Sequence, residues 1–446
     1  MKKMLHKEGT RRTGKRRVFI AALGLGVLLY TACGGRKGGE AGPAQFTARS
    51  PAEYQGTITL WSWTDDPVYQ IAAFNKVYPN VKVEFTQVGE GYDTKIQTIV
   101  DNGTEGPDIF VADVKVVKNY IDNDAWENLS APPYNAAALT GDIMAYTKEV
   151  ASDAGGNLRA LSWQATPGGF WYKRSLAKEY LGVDDPAQIS AMMSTWEGFL
   201  ELAETVRVKS GGKTATITSY KDLWTLANYA MRSTPWVTDG VFQLDPYVEQ
   251  FFDLCKRVYD NGYDAKLNAW TNPWFAAAAD RSLLGYILPT WGLQYVIMGS
   301  APDSMGDWGI ASMPSSYFDG GTYMGIYQKS RQKELAWEFI KFVTLNKDYL
   351  KQYALDKSDF PCLNTVADEI AADYANPWCA GQNTFAFFQE EAKKIDASLV
   401  TRYDDPIREA LMRAVELHVQ GDQSKEAAIA AFKADVANIY QSVTVK

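Results

Sequence analysis

The sequence predicts an α/β protein made of two doubly wound domains. Runs with the two-residue alternation of β-strands take turns with segments of helical periodicity, and this order favours mostly parallel sheets covered by helices. The body of the chain after residue 54 has roughly 390 residues, which is long for a single hydrophobic core and favours two domains.

The first 32 residues have the layout of an export signal. Eight Lys and Arg precede the apolar stretch 18–30, which is too short to span a bilayer, and small residues lead to Cys33. This arrangement resembles a bacterial lipoprotein signal, in which Cys33 is lipidated and becomes the mature N-terminus. An ordinary secretory signal that is cut at Ala32 is the alternative. The Gly-rich residues 33–54 are then expected to form a flexible tether.

The charge of the chain excludes some classes of partner. The whole sequence has 45 Lys and Arg against 53 Asp and Glu; residues 1–32 hold eight of the basic and one of the acidic residues, which leaves 37 and 52 and a net charge of −15. A surface this acidic repels nucleic acid and anionic membranes. No apolar run after the signal approaches the length of a transmembrane helix.

The first domain begins with three strands separated by helices. "TITLWSW" is predicted as a strand, "DPVYQIAAFNKVYP" as a helix, "VKVEFTQV" as a strand, "DTKIQTIVDNG" as a helix that ends at Gly103, and "PDIFVADV" as the third strand. Three such strands within about sixty residues are typical of one half of a doubly wound fold.

A second region begins near residue 165. "STWEGFLELAETVRVKSGG" is predicted as a helix with a capping box of Ser194 and Glu197. "TLANYAMRS" and "YVEQFFDLCKRVYDNG" are further helices, and "SLLGYILPTWGL" is a strand followed by a helix start. "GTYMGIYQ" is predicted as a strand, "KELAWEFIKFVTLN" as a helix, and the tail as two helices.

Three predicted strands end in aromatic or charged residues just before a helix, where ligands bind in open parallel sheets. These residues are Trp63, Asp65 and Asp66 after the first strand, Asp113 and Lys115 after the third, and Trp291 after "SLLGYILP". The aspartates have a simpler interpretation as helix N-caps and first-turn charges, and the tryptophans as packing residues. Trp270 and Trp274 are compatible with a cleft loop or with the core.

The residue types suit a sugar. The apolar C–H faces of a pyranose stack on indole rings, and carboxylates accept strong hydrogen bonds from hydroxyl groups. The chain has 14 Trp and 25 Tyr, and His418 is its only histidine after the signal. Phosphate-loop, zinc-protease and serine-hydrolase motifs are missing. Two other functions stay open: polyamine binding through ion pairs and cation–π contacts, and glycoside hydrolysis by a carboxylate pair.

The order of several motifs resembles the extracellular solute-binding proteins of ABC importers, in the sugar-binding group related to maltose-binding protein. They include "ITLWSWTDD", "GYDTKIQTIVDNGTEGPDIFVAD", "ALSWQATPGGFWYKRSLAKEYLG", "STWEGFLELAE", "SLLGYILPTWG", "WGIASMP" and "KELAWEFIKFV". The resemblance implies a type II periplasmic-binding-protein fold, with solute held between two hinged lobes. Lobe 1 is expected at 55–164 plus 321–355 and lobe 2 at 165–320 plus 356–446, with crossings near 162–166, 315–322 and 355–360.

The resemblance also implies a function and further site residues. It implies a monomeric, non-catalytic carrier without a cofactor, which is held outside the cytoplasm by a lipid anchor on the membrane. The carrier delivers a sugar or oligosaccharide to the membrane permease subunits. Further candidates for contact with the solute are Trp163 and Gln164 at the first crossing, and Tyr220, Trp224, Tyr323, Arg402 and Tyr403.

The cysteines leave two possibilities open. Cys362 and Cys379 flank one short helix and are expected either to form a disulfide or to be two unrelated thiols. Cys255, within the apolar pattern "FFDLCKRVY", is predicted to be a small buried hydrophobic residue.

Overall fold

The computed structural model describes residues 46–446 and confirms a two-lobed α/β fold. The export signal, Cys33 and most of the tether lie outside the described residues. The α-helices, numbered α1 to α17 in chain order, are Asp66–Val77, Tyr92–Asn102, Val114–Asp122, Ala145–Ala151, Arg174–Leu181, Pro186–Met192, Trp196–Ser210, Trp224–Leu226, Tyr247–Asp260, Asn272–Ala276, Met298–Ser300, Lys333–Leu345, Lys347–Lys357, Asn364–Ala371, Thr384–Ala392, Asp404–Val419 and Lys425–Ile439.

Ten strands form three sheets in this part of the chain. Strands β1 to β10 are Gly56–Ser62, Val81–Gln87, Ile109–Asp113, Leu161–Ser162, Gly168–Lys173, Val237–Thr238, Val241–Phe242, Gly285–Pro289, Trp308–Ala311 and Thr322–Ile326. The order in the first sheet is β2-β1-β3-β10-β4, in the second β8-β5-β9, and in the third β6-β7.

The first sheet follows the predicted pattern at its start. β1 pairs in parallel with β2 and with β3, so the carboxyl ends of these three strands lie at one edge. β10 returns from much later in the chain and runs antiparallel to both β3 and β4. All five residues of β10 are buried, because this strand lies inside the sheet.

The second sheet corrects the expectation of mostly parallel pairing. β5 runs antiparallel to both β8 and β9. Parallel contacts appear there only as single bridges, from Ala215 to Leu283 and from Ile217 to Asp264. The periodicity of these short apolar strands indicates that they are buried, but it does not fix their direction.

The chain passes from one sheet to the other through segments that pair with each other. Residues 163–167 lead from β4 to β5, and residues 312–321 lead from β9 to β10. A third segment, 358–363, lies against the first: Ala165 N donates to Phe360 O at 2.9 Å, and Cys362 N donates to Trp163 O at 3.2 Å. These three segments overlap the predicted crossings. The lobe limits stay predictions.

Two local predictions need correction. Helix α7 begins one residue later than predicted, because Thr195 is the N-cap and its hydroxyl accepts from Gly198 N at 3.0 Å. The predicted box with Ser194 is therefore wrong. For Cys362 and Cys379 the disulfide alternative is wrong and the alternative of two unrelated thiols is correct: both are buried, and Cys362 Sγ contacts Thr344 O at 3.6 Å. Cys255 is buried in the core of the second lobe, as predicted.

Candidate functional site

The first lobe presents its site residues where β1 ends. Trp63 follows the strand and is half-buried, with its ring edge-on against Tyr92 at a centroid distance of 5.4 Å. Asp65 is exposed at the N-cap of α1 and makes no side-chain capping bond. Asp66 is only 8 % exposed, and its carboxylate accepts from the Tyr353 hydroxyl at 2.9 Å. Trp63 and Asp65 are therefore available to a ligand, while Asp66 is partly committed to the fold.

The end of β3 adds a charged pair. Asp113 caps α3, because its carboxylate accepts from Lys115 N at 2.9 Å. A cavity of about 430 Å³, the first-lobe cavity, opens beside the pair and is lined by Trp63, Gly89, Gly91, Tyr92, Asp93, Thr94, Asp113 and Lys115. The Asp113 carboxylate raises the pKa of Lys115, and Asp319 adds to this shift, so Lys115 is a persistent cation there.

The second lobe presents aromatic rings where β8 ends. Trp291 follows the strand, and its Nε1 donates to Asp319 O at 3.1 Å. Its ring is stacked with Trp270 at 5.6 Å and 28°. Trp270 is 59 % exposed and has a φ of 67°, which is uncommon for a residue other than glycine. Trp270 packs in turn on the buried Trp274 at 5.4 Å, so the three indoles form one continuous wall.

This wall belongs to a cavity of about 270 Å³, the Trp-lined cavity. Its lining residues are Lys115, Thr218, Ser219, Lys221, Asp222, Trp224, Thr225, Leu267, Asn268, Ala269, Trp270, Trp274, Tyr286, Ile287, Leu288, Trp291, Asp319 and Arg408. The Arg408 guanidinium lies over the Trp224 ring at 4.7 Å, an arrangement that orients both side chains. Lys115 comes from the first lobe, so both lobes contribute to this cavity.

A third cavity of about 230 Å³, the Asp-lined cavity, also borders Trp291. It is lined by Asp65, Asp66, Trp291, Gln294, Tyr295, Tyr353, Lys357, Ser358 and Asp359. The Tyr295 hydroxyl reaches Asp66 Oδ1 at 3.5 Å, a contact between the two lobes. Lys115 lines both the first-lobe cavity and the Trp-lined cavity, and Trp291 lines both the Trp-lined cavity and the Asp-lined cavity. The three spaces therefore adjoin and together form the cleft.

Two carboxyl groups in the cleft have raised pKa values, which favour their neutral, protonated form. Burial raises the pKa of Asp222 to about 7, although the Thr218 hydroxyl and Ser219 N donate to it. Burial, and secondly the charge of Asp66, raise the pKa of Asp359 to about 8. Near pH 7 these groups therefore supply hydrogen-bond donors as well as acceptors.

The structure brings about half of the predicted site residues together. Those that line the cleft are Trp63, Asp65, Asp66, Asp113, Lys115, Trp224 and Trp291. All but Trp224 follow directly from the rule that strand ends carry the site.

Three predicted aromatic residues are in the core instead. Trp163 is 0 % exposed, since its segment is covered by the other two crossings. Tyr323 is 1 % exposed in β10, between β3 and β4. Tyr220 is 4 % exposed and packs edge-on against Tyr259, while its neighbours Ser219 and Lys221 line the Trp-lined cavity. In this structure these three side chains do not face the cleft.

Three other predicted residues lie beside the cleft rather than in it. The Gln164 amide is bonded to neighbouring crossing segments. Arg402 Nε is 3.9 Å from Asp122 Oδ2, and the Tyr403 ring packs edge-on against Tyr440 at 5.0 Å. None of these side chains lines the three cavities, so their role as solute contacts stays a prediction without support from the cavity geometry.

Sequence reasoning missed several cleft residues. Arg408 lies four positions into the long helix α16 and reaches the cleft from the far end of the chain. Asp319 and Asp359 belong to crossing segments, and Asp222 lies within a short 3-10 turn, Tyr220–Leu223. None of these residues directly follows a predicted strand, so the rule that sites lie at strand ends could not identify them. For Trp270, the sequence was compatible with both a cleft loop and the core and did not decide between them.

Metal binding and membrane spanning have no support in residues 46–446. This part of the chain contains no group of three or more His, Cys, Asp or Glu that could hold a metal ion. None of its helices combines the length and apolar character that crossing a bilayer requires.

Comparison with known proteins identifies the family. Residues 61–350 match the family described as bacterial extracellular solute-binding protein. The GacH receptor of Streptomyces glaucescens has a TM-score of 0.69 and 17 % identity, with 88 % of this chain and 100 % of that chain covered. The sugar-binding protein MalE from Xanthomonas citri gives 0.70 and 16 %, with 86 % and 97 % covered. The galacto-N-biose-/lacto-N-biose I-binding protein of an ABC transporter from Bifidobacterium longum gives 0.70 and 16 %, with 87 % and 99 % covered.

These similarities concern the whole fold rather than one motif. The family match includes the end of β1, where Trp63 begins the first-lobe side of the cleft, and Trp291 at the end of β8. The fold and the family are those of transport binding proteins. The chain belongs to the family of bacterial extracellular solute-binding proteins.

Proposed function

We propose that this protein captures a sugar or oligosaccharide outside the cytoplasm and delivers it to the permease of an ABC importer. The observation that carries the proposal is the wall of Trp270, Trp274 and Trp291 beside carboxylates of both lobes in one cleft. The related structures point the same way: the GacH receptor is described in complex with acarbose, and the Bifidobacterium protein in complex with lacto-N-biose.

Aromatic and charged residues of the cleft would contact different parts of a sugar. We expect the C–H face of a sugar ring to lie on Trp291, because an indole offers a large apolar face next to polar groups. Asp65 and Asp113 would accept hydrogen bonds from ring hydroxyls, and Lys115 would donate one. Charged partners make these bonds about twice as strong as neutral ones.

Hinge closure would follow from contacts with both lobes. A solute that touches Trp291 on one lobe and Asp113 on the other interacts better with the closed arrangement, and so increases its population. Gly320 lies between the two: a Cβ placed there would be 3.1 Å from Trp291 Nε1 and 3.7 Å from Asp113 Oδ2. Both side chains therefore border the same short stretch of the second crossing, and a solute seated beside Gly320 can contact both lobes.

A thermal-shift screen with mono- and oligosaccharides, followed by titration calorimetry, tests the proposal. A bound solute raises the melting temperature by mass action. Trp291→Ala should weaken binding of the best sugar by about 1–3 kcal/mol, as expected for a large anchor residue. Trp196→Ala is the matched control, since Trp196 is also half-buried in the second lobe but packs on Phe199 away from the cleft. Equal affinities in both variants would remove Trp291 from the site.

A polyamine is the second candidate solute, and the Asp-lined cavity favours it. Asp65, Asp66 and Asp359 face Trp291 and Tyr295 there, with Lys357 as the opposing cation. Ion pairs and cation–π contacts hold amines in such surroundings. Salt discriminates between the two: polyamine affinity should fall steeply as ionic strength rises, whereas the affinity for a neutral sugar should hardly respond.

The proposal includes a non-catalytic, monomeric carrier with a lipid anchor on Cys33. Absence of new reducing ends after long incubation with the sugar that binds would agree with a carrier, and measurable turnover would favour a glycoside hydrolase. Metabolic labelling with a fatty acid tests the anchor, because Cys33→Ala should lose the label. A labelled C33A variant would contradict it.

A further inference from the structure

The three crossing segments meet at one side chain, that of Gln164. Its backbone pairs with Pro361 of the third segment. Its amide, oriented by the surrounding hydrogen bonds, donates to Asp359 Oδ2 at 2.7 Å and accepts from Thr322 at 3.2 Å for N and 3.1 Å for Oγ1. Thr322 directly follows the second crossing as the first residue of β10, and Asp359 lies near the start of the third, so one amide bonds to the ends of both other segments.

The backbone around Gln164 supports the same arrangement. Thr166 Oγ1 donates to Gly320 O at 3.3 Å, and Asp319 N donates to Thr166 O at 3.2 Å. The Ser162 hydroxyl donates to Gln164 O at 2.8 Å. The two Thr166 bonds join the first crossing to the second, and the Ser162 bond stays within the first. Among these groups, only the Gln164 amide reaches two segments.

Relative rotation of the lobes has to act on these bonds. In a hinge motion, a few residues in the connecting segments absorb the change of backbone angles. If the segments turn by different amounts, the distances from Gln164 to Thr322 and to Asp359 change. The hydrogen bond to Asp359 involves an ionisable, half-buried group, and its loss leaves that group without this partner.

We propose that Gln164 is a positioning residue of the hinge, whose amide favours the lobe arrangement seen here by joining the three crossing segments. The residue therefore acts through the hinge and not by contact with solute. This inference rests on the two-lobe fold and on these hydrogen bonds, and it holds whichever solute the cleft takes.

Single-molecule fluorescence energy transfer between the lobes tests this proposal without added solute. Dyes are attached through a keto amino acid at Lys76 in α1 and at Lys209 in α7, two exposed positions on different lobes, and native cysteines are avoided. Gln164→Leu removes bonds to both other segments and should reduce the population of the wild-type peak relative to other states about fivefold or more, since one hydrogen bond alone accounts for about fivefold. An unchanged distribution in folded Q164L would overturn the proposal.

A matched control separates the hinge from general loss of stability. The Gln382 amide makes two hydrogen bonds to Ile310, at 2.9 Å and 2.8 Å, within the second lobe. Gln382→Leu should lower the melting temperature but leave the energy-transfer distribution unchanged. A shift in Q382L as large as that in Q164L would show that any lost hydrogen bond moves the lobes, and would also overturn the proposal.

Exchange of the two groups provides the rescue. At pH 9, above the pKa of Asp359, Gln164→Glu places two carboxylates together and should shift the distribution, whereas Gln164→Glu with Asp359→Asn restores an amide–carboxylate pair with the roles reversed. The double variant should recover the wild-type peak. If Q164L does not fold, this pair decides, because identical distributions for Q164E and the double variant would refute the role of the bond. Solute binding is measured separately, so failure here leaves the proposed function untouched.

Discussion

Replacing Asp359 by Asn should make the stability of the protein less dependent on pH. Asp359 lies in the third crossing, where its Oδ1 accepts from Phe360 N at 2.9 Å and its Oδ2 accepts from the Gln164 amide at 2.7 Å. Burial and the nearby Asp66 carboxylate raise its pKa from 3.8 to about 8. Asparagine resembles the protonated acid in size and cannot ionise.

The sign and size of the effect follow from proton linkage. Because the pKa is raised on folding, the folded protein keeps a proton that the unfolded chain releases above about pH 4. The free energy of unfolding therefore falls as pH rises from about 4 to 8. One proton corresponds to about 1.4 kcal/mol per pH unit, so the wild type should lose about 3 kcal/mol between pH 5 and pH 7 through this group. The Asn variant should not have this loss.

Urea unfolding at pH 5, 6 and 7 measures the difference directly. Wild type minus D359N isolates Asp359, because other raised groups such as Asp222 titrate equally in both proteins. Asp348→Asn is the control, because Asp348 is exposed in α13, the helix directly before the third crossing. The free energies of unfolding of wild type and D348N should depend on pH in the same way. If the difference between wild type and D359N is constant over these pH values, then Asp359 is ionised in the folded protein and the reasoning fails.

Three further predictions concern the cleft and the core. Trp270→Ala should weaken sugar binding by about 0.5–1.5 kcal/mol in calorimetry, since Trp270 stacks on Trp291, and unchanged affinity would exclude Trp270 from the site. The melting temperature should hardly change, because Trp270 is 59 % exposed. Asp404→Ala should destabilise the protein by about 3–5 kcal/mol in urea unfolding, because the buried Arg232 loses the carboxylate that lies 2.8 Å away. A loss below about 1 kcal/mol would mean that water reaches this ion pair. Gly325→Ala should cost about 1–3 kcal/mol or more, because the new Cβ would lie 2.3 Å from the Trp126 ring; a wild-type melting curve would show that Trp126 can move.

The strand ends could be predicted from sequence because their logic is local. Trp63 and Asp113 each follow an apolar strand and precede a helix, and parallel pairing through β1 puts both at one edge of the sheet. Trp291 was found by the same reasoning although β8 runs antiparallel to its neighbour. The rule therefore worked at β8 because of the strand-to-helix junction and not because of the strand direction.

The environment of the side chains in the crossing segments could not be predicted, because it depends on distant parts of the chain. Trp163 and Gln164 are adjacent in sequence, yet one is fully buried and the other joins three segments through its amide. The bonds of the Gln164 amide depend on Thr322 and Asp359, about 160 and 195 positions later. Arg408 is a similar case, since its place over Trp224 depends on how α16 packs. Periodicity within one segment carries no information about such contacts.

The uneven distribution of side chains between the lobes has a consequence for the order of binding. The indoles of Trp224, Trp270 and Trp291 all come from the second lobe, while the first supplies Trp63 and the charged groups Asp65, Asp113 and Lys115. Stacking needs only one apolar face, so a sugar can settle on the second lobe while the cleft is open. Hydrogen bonds to the first lobe require closure. We therefore expect changes at Asp113 to act mainly on closure and on dissociation, and changes at Trp291 to act already on the first encounter. Stopped-flow fluorescence of D113N and W291A would separate the two, and equal effects on the association rate would contradict this division.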